Sequence, residues 1–427
     1  MSEATEPTPD GPASATAPTA GDEGPRRGLA RGLPRNVLVL SWVSFFQDAA
    51  SELLYPIFPL FITVTLGAPA SALGLIEGVA EGTASVGKAL SGRLADRFQR
   101  RPLIALGYGI SSAAKPLIGL AGVWPVALAG RFVDRVGKGL RTSPRDALLA
   151  ADTPPEIRGR AFGFHRAADT AGAVVGPLLG LALYEAFNHH LRPLFFVAAL
   201  PAAISVVLIA FVREHPPAAT LPTASRPAAA TTTAAVSPAA LPRAYWRLVI
   251  ALAIFGLANF SDALLILRAK ELGLSFVSII VVYALYNASY AALSLPAGIV
   301  SDRLPRRVVY GTGLVIFAVA YLGLGLVHSP GWVWVLLPVY GAYTALTDGV
   351  GKAWVADLLP ARAMGTGLGL FQGITGGCAL VASIWAGLAW NGNGRLPLQV
   401  SGAIVAALAL LLLVAGRRLD VGEATVN

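Results

Sequence analysis

Gly92-Arg93-Leu94-Ala95-Asp96-Arg97-Phe98-Gln99-Arg100-Arg101 is a short basic turn between two long apolar stretches. A kindred turn, Gly298-Ile299-Val300-Ser301-Asp302-Arg303-Leu304-Pro305-Arg306-Arg307, returns later in the chain. A charged hinge used twice in an apolar chain implies a membrane protein made of two duplicated halves. Composition agrees, because 55% hydrophobic residues, 13% charged residues and a mean hydropathy of +0.63 leave 427 residues without the polar surface of a water-soluble protein. The pI near 9.9 and net charge of +9 do not mark a nucleic-acid binder, since the basic residues are scattered through short connections and form no contiguous patch.

Apolar stretches long enough to cross about 30 Å of hydrocarbon occur twelve times. They run at 36–66, 72–93, 103–122, 124–146, 161–187, 191–212, 245–267, 273–299, 307–328, 332–354, 363–390 and 396–416. Basic clusters stand before the first span, at Arg93 to Arg101, Arg141 to Arg160 and Arg303 to Arg307, and at Arg417 with Arg418, while the alternate connections are nearly free of Lys and Arg. By the positive-inside rule both termini are cytoplasmic. The expected fold is all-α, with twelve transmembrane helices in two six-helix halves related by a pseudo-two-fold axis. Its parts are a disordered tail (1–35), a first bundle (36–212), a cytoplasmic linker (213–244), a second bundle (245–416) and a C-terminal tail (417–427). The tail and linker are rich in Pro, Ala and Thr and low in apolar periodicity.

The duplication extends beyond the hinge. Phe46-Gln47-Asp48-Ala49 in span 1 recurs as Phe260-Ser261-Asp262-Ala263 in span 7, and Asp134 with Gly137-Lys138 in span 4 recurs as Asp348 with Gly351-Lys352 in span 10. In transporters built from parallel repeats, the substrate site lies between the halves near the midplane.

With these features the chain resembles the twelve-helix major facilitator superfamily over residues 36–416. The hinge match rests on Gly92, Asp96, Arg97, Arg100 and Arg101, echoed by Gly298, Asp302 and Arg303. The resemblance implies that Asp96 helps latch the cytoplasmic helix ends in an outward-facing state. Gly163, Gly172, Gly176, Pro177 and Gly180 in span 5 are similar to a signature of proton-coupled antiporters, with Leu181 where a further Gly usually stands; a helical row of small residues also serves close packing. The Arg expected in span 4 falls on Arg131 or Arg135. The resemblance implies a transporter of small molecules in the plasma membrane, working as a monomer with no cofactor.

Charges within a bilayer are costly, so ionisable residues inside the spans mark the chemistry. In span 4, Arg131, Asp134, Arg135, Lys138 and Arg145 share one helical face; Glu77, Glu81 and Lys88 share a face of span 2, and Asp48 and Glu52 are one turn apart in span 1. The inward carboxyls Asp48, Glu52, Glu77, Glu81 and Asp262 are candidate proton carriers. Lys115, Arg131, Asp134, Arg135 and Lys138, with Tyr283, Tyr286, Asn287, Tyr290, Asp348 and Lys352 from the second half, are candidate cavity residues. The basic excess suits an anionic or zwitterionic substrate, whereas permanent salt bridges would make the same charges purely structural. His189-His190 lacks partners at metal-ligand spacing, and Gly137-Lys138-Gly139 has neither the preceding strand nor the length of a phosphate-binding loop, so no metal site and no nucleotide hydrolysis are expected. Cys378, alone in the chain, leaves no partner for an intrachain disulfide. Three functions remain open: proton-driven export of a small amphipathic drug or metabolite, proton-coupled uptake of an organic anion or other nutrient, and a transporter-like sensor. None is enzymatic.

Overall fold

A computed structural model describes residues 32–55, 57–58, 61–68, 70–214, 238–390 and 393–415. The expected N-terminal tail up to residue 31, the linker from 215 to 237 and the tail from 416 onward lie outside the described residues. Helices of the first half are α1 (Arg35–Leu54), α2 (Ala70–Arg97), α3 (Arg100–Gly119), α4 (Trp124–Ala151), α5 (Arg158–Ala186) and α6 (Arg192–Leu208). Those of the second are α7 (Arg243–Gly256), α8 (Asp262–Glu271), α9 (Phe276–Arg303), α10 (Arg306–Leu326), α11 (Val333–Asp357), α12 (Met364–Leu388) and α13 (Arg395–Ala415). No strand occurs among the described residues.

Seven of these helices (α1, α5, α6, α9, α10, α12 and α13) are long and apolar enough to cross a membrane. The others carry mid-helix charge, as at Lys88, Lys115, Asp134 and Asp348, or are halves of one span, as α7 and α8 are. Large apolar side chains such as Leu200, Leu388 and Val414 cover the outer faces, as lipid contact demands. Inside the second half, Phe255, Phe317, Tyr321, Tyr340 and Tyr343 form an edge-to-face and stacked aromatic core.

Helix contacts explain the glycines. A Cβ at Gly172, Gly176 or Gly180 of α5 would stand 2.3, 2.7 and 2.6 Å from the carbonyl oxygens of Phe45, Ala49 and Leu53 on α1. That row lets the two backbones touch. The halves meet chiefly where α2 runs beside α12 and α5 beside α9. There a Cβ at Gly92 would lie 2.3 Å from the Gly365 oxygen, and one at Gly298 would lie 2.2 Å from the Gly159 oxygen.

Span 7, expected as one helix, is broken. Between α7 and α8 the chain unwinds at Leu257-Ala258-Asn259-Phe260-Ser261. Asn, Ser and Asp compete locally for backbone hydrogen bonds and favour caps over helix interiors. The freed groups are satisfied by α12: Trp385 Nε1 donates to the Leu257 oxygen at 2.9 Å, and the Ser261 N–H donates to Ser383 Oγ at 2.9 Å. Ser261 then caps α8 through the Ala263 N–H. The repeated motif therefore differs in setting, because Asp48 sits within a continuous helix and Asp262 starts a new one. Beyond the break, buried Arg268 donates to the Leu324, Val327 and Asn393 carbonyls at 3.0, 2.9 and 2.9 Å, closing the end of α10.

Candidate functional site

The two basic turns are joined to the opposite half by their carboxylates. Asp96 accepts the Gly365 and Thr366 N–H groups, 2.7 and 2.6 Å away, where α12 begins. Asp302 accepts those of Gly159 and Arg160, both at 2.7 Å, where α5 begins. Each carboxylate thus satisfies orphan donors at a positive helix end. Arg306 adds ion pairs to Asp302 at 3.1 Å and to Asp357 at 3.2 Å, and Arg158 reaches Asp357 across the halves at 3.1 Å. Arg100 turns back to the Ala95 and Ala147 carbonyls and Arg101 to that of Ala210, whereas Arg97 and Arg303 are exposed.

Behind this closed face lies a cavity of about 400 Å³ between the halves. Six basic residues reach its wall (Lys88, Lys138, Arg141, Arg145, Arg166 and Lys352) against three acidic ones (Asp48, Asp169 and Asp348), with Asn259, Phe371 and Gln372 beside them. Five of these charged groups, with Asp146 behind them, belong to one row of alternating sign. Arg145 Nη2 pairs with Asp146 Oδ1 at 3.0 Å, and Asp146 Oδ2 with Lys352 Nζ at 3.1 Å. Lys352 also reaches Asp348 Oδ1 at 3.6 Å; Asp348 Oδ2 receives Arg166 Nη2 at 2.6 Å and the Tyr290 hydroxyl at 2.7 Å; Arg166 Nη1 returns to Asp169 Oδ2 at 2.5 Å. The row crosses between the halves twice, at Asp146–Lys352 and at Asp348–Arg166. Every charge in it has a partner of opposite sign, which is what lets charges stay inside a membrane.

Lys88 and Lys138 are different. Neither forms an ion pair or side-chain hydrogen bond with a described residue, although both face the cavity. The field of Lys138 reaches Asp48 and Glu52, which form no ion pair with a described residue, and buried Glu52 Oε2 has no hydrogen-bond partner among the described residues.

The other candidates are distributed as follows. Lys115, Arg131 and Asp134 do not line this cavity; they form a network within the first half, with both cations 3.9 Å from Asp134. Arg135 pairs with Glu81 at 3.6 Å, also away from the cavity wall. The shared face of α4 therefore splits: its N-terminal part turns into the bundle and its C-terminal part, from Lys138 on, faces the other half. Glu77 lies on α2, with its side chain outside those described. In the second half Asp262 accepts Tyr340 Oη at 2.8 Å and Tyr286 Oη at 3.2 Å. Tyr283, Tyr286 and Tyr340 follow one another at ring separations of 5.7 and 5.4 Å, and Asn287 Nδ2 is turned to the Tyr283 carbonyl. Tyr55 of the first half stacks on Tyr283 at 6.3 Å.

Arg141, Asp146, Arg166, Asp169 and Gln372 belong to the site but not to the residues expected there. Arg145, expected on the charged face of span 4, does reach the site, and α4 continues to Ala151, past the expected end of the span, carrying Asp146 there as well. The signal for Arg166 and Asp169 was present as an i,i+3 pair of opposite charges inside an apolar span. His165 is buried, with Nε2 3.0 Å from Ser44 Oγ, beneath the Arg145 contacts to Ser44 and Tyr108. Among the described residues no cluster has metal-ligand composition.

Comparison with known proteins agrees with this architecture. Residues 40–275 and 263–425 match the profile of the Major Facilitator Superfamily. An uncharacterized MFS-type transporter of Methanocaldococcus jannaschii is 33% identical over 390 residues, 90% of this chain and 95% of that protein. The cis,cis-muconate transport protein of Acinetobacter baylyi is 25% identical over 334 residues, 75% of this chain and 79% of its own. The crystal structure of the human organic anion transporter MFSD10 superposes with a TM-score of 0.71 over 89% of this chain and 100% of that one, at 19% identity. The two latched halves, the charged cavity between them and these matches have one common explanation: the chain belongs to the Major Facilitator Superfamily, whose members are multi-pass membrane transporters and not enzymes.

Proposed function

We propose that this protein is a proton-coupled secondary transporter that moves a small amphipathic organic anion by alternating access, in the direction of export. The observation that carries the reading is the basic surplus on the cavity wall, with Lys88 and Lys138 lacking partners among the described residues. A cation held in a low-dielectric site without a counter-ion is costly, and a bound anion removes that cost. Phe371 and the nearby tyrosines give the apolar part of such a substrate a surface to rest on. The name of the muconate relative supports a carboxylate substrate. The glycine pattern of α5, with its likeness to antiporters, supports export.

The anion also supplies a way to move the halves. A carboxylate near Lys138 competes with Asp348 and Asp146 for Arg166 and Lys352, and so weakens the two crossings of the charge row. Opening toward the cytoplasm then follows release of the Asp96 and Asp302 latches. The energy source on this reading is an ion gradient, worth about 2.3 kcal/mol per charge per 100 mV.

Proteoliposomes preloaded with cis,cis-muconate, other dicarboxylates, neutral sugars or organic cations test this by exchange against labelled external compound. Exchange of at least one organic anion is expected, with Lys138→Gln raising KM roughly 10- to 100-fold by loss of one charge-assisted contact. Exchange of neutral or cationic compounds only would overturn the reading. Everted vesicles with an acidified interior give the direction: substrate-induced loss of the pH gradient means export, and its absence alongside proton-driven accumulation in whole cells means uptake.

A further inference from the structure

We propose that Asp262, enclosed by the hydroxyls of Tyr286 and Tyr340, is the site that takes up the coupling proton, apart from the basic cavity that holds the anion. The inference rests on the transport reading above and assigns its second ligand to a place.

The acids of the transporter divide by their company. Asp134, Asp146, Asp169 and Asp348 each lie within 4 Å of an Arg or Lys nitrogen. Asp48 and Glu52 lack a direct ion pair but sit in the field of Lys138 together with Arg141 or Arg135. Asp262 has no cation partner among the described residues. The titratable groups that reach it are Tyr283 and Tyr286 from α9, Tyr321 from α10, and Tyr340 and Tyr343 from α11, all phenols. On its own helix, Arg268 is turned away to three carbonyls. The first half reaches this place through Tyr55 and Glu52, which both approach Tyr283.

A phenol cage suits a proton that comes and goes. When Asp262 is charged, each carboxylate oxygen receives one O–H, from Tyr340 at 2.8 Å and Tyr286 at 3.2 Å. When water delivers a proton to Oδ2, the new carboxyl O–H donates to Tyr286 Oη, whose own hydrogen rotates away. Both states stay hydrogen-bonded, and the start of α8 helps the charged form. Asp262 is part-exposed, so water reaches it.

The cage is also mechanically connected. From Tyr340 the rings continue to Tyr286 at 5.4 Å, to Tyr283 at 5.7 Å, and across the half boundary to Tyr55 at 6.3 Å. This contact lies at the end of α1 away from the Asp96 and Asp302 latches. Protonation of Asp262 thus changes the hydrogen bonding of two rings in a ladder that ends on the other half at Tyr55.

Infrared difference spectra of the purified full-length protein after a pH jump test the assignment without any substrate. The wild type is expected to show one reversible carboxyl C=O band, which disappears in Asp262→Asn and shifts in Tyr340→Phe but persists in Asp48→Asn and in Glu52→Gln. A band that persists in Asp262→Asn, or disappears in Asp48→Asn or Glu52→Gln, overturns the proposal. So does suppression of the wild-type band by sodium at fixed pH, which would make the site a sodium site. Retained anion exchange by Asp262→Asn, with its gradient-driven accumulation ratio falling to one, is the expected transport counterpart. Absence of exchange by the wild type itself would instead count against the organic-anion reading, and the infrared result does not depend on it.

Discussion

Removing the charge of Asp96 is expected to loosen the closed face by an amount the geometry sets. The carboxylate takes two short N–H bonds, 2.7 and 2.6 Å, from the first turn of α12. In Asp96→Asn the amide oxygen keeps one of them, while the amide NH2 faces the other N–H. The loss is one hydrogen bond to a charged group together with the charge–dipole attraction, about 2 kcal/mol in sum. That corresponds to a shift of roughly 30-fold in the balance between closed and open. Asp302 makes the same pair of bonds to α5, at 2.7 Å each, and shares no partner with Asp96. The double variant should therefore be additive, at about 4 kcal/mol and roughly a thousandfold. Spin labels on exposed Gln99 and Leu304, in a Cys378→Ala background, report the two populations as a distance distribution. The single variants should show a new longer-distance fraction and the double variant a majority of it. An unchanged distribution in the double variant would refute the latch argument, since a contact worth this much cannot be removed twice without moving the equilibrium.

Arg268→Met should lower thermal stability in detergent by about 3 kcal/mol, because three carbonyls lose a shared charged donor; a midpoint within a degree of wild type would show that water replaces the guanidinium. Gly172→Val should destabilise the first half by overpacking, about 1–3 kcal/mol, since even a Cβ would stand 2.3 Å from the Phe45 oxygen. Equal stability with impaired transport would instead assign Gly172 to function and not to packing.

Much of this molecule is legible along the chain. Hydropathy with the paired Gly92 and Gly298 turns leads to twelve spans and a duplication, because apolar length and loop charge are local properties. The least legible element was span 7, whose 23 expected residues read as continuous helix although Asn259, Ser261 and Asp262 stand together in it. Whether such residues break a helix depends on whether Trp385 and Ser383 from another span are present to satisfy the freed backbone. The face of α4 shows the same limit. Periodicity aligns Arg131, Asp134, Arg135, Lys138 and Arg145, but a helix of 28 residues passes several neighbours along its length. One part of the stripe meets Lys115 inside the bundle and another meets the opposite half.

The sequence by itself determined the solvent, the number of spans, the repeat and which residue types are charged within the membrane, since each follows from composition and spacing over a few turns. Only the tertiary structure decided which charge meets which. Asp146 is joined to Lys352 and Arg166 to Asp348 across 206 and 182 positions of the chain, while Lys88 and Lys138 face the cavity with no ion-pair partner among the described residues. Those pairings depend on the packing of α2 on α12 and of α5 on α9, where glycines let backbones approach to contact. A side chain's partner is set by that long-range geometry, and local pattern carries no record of it.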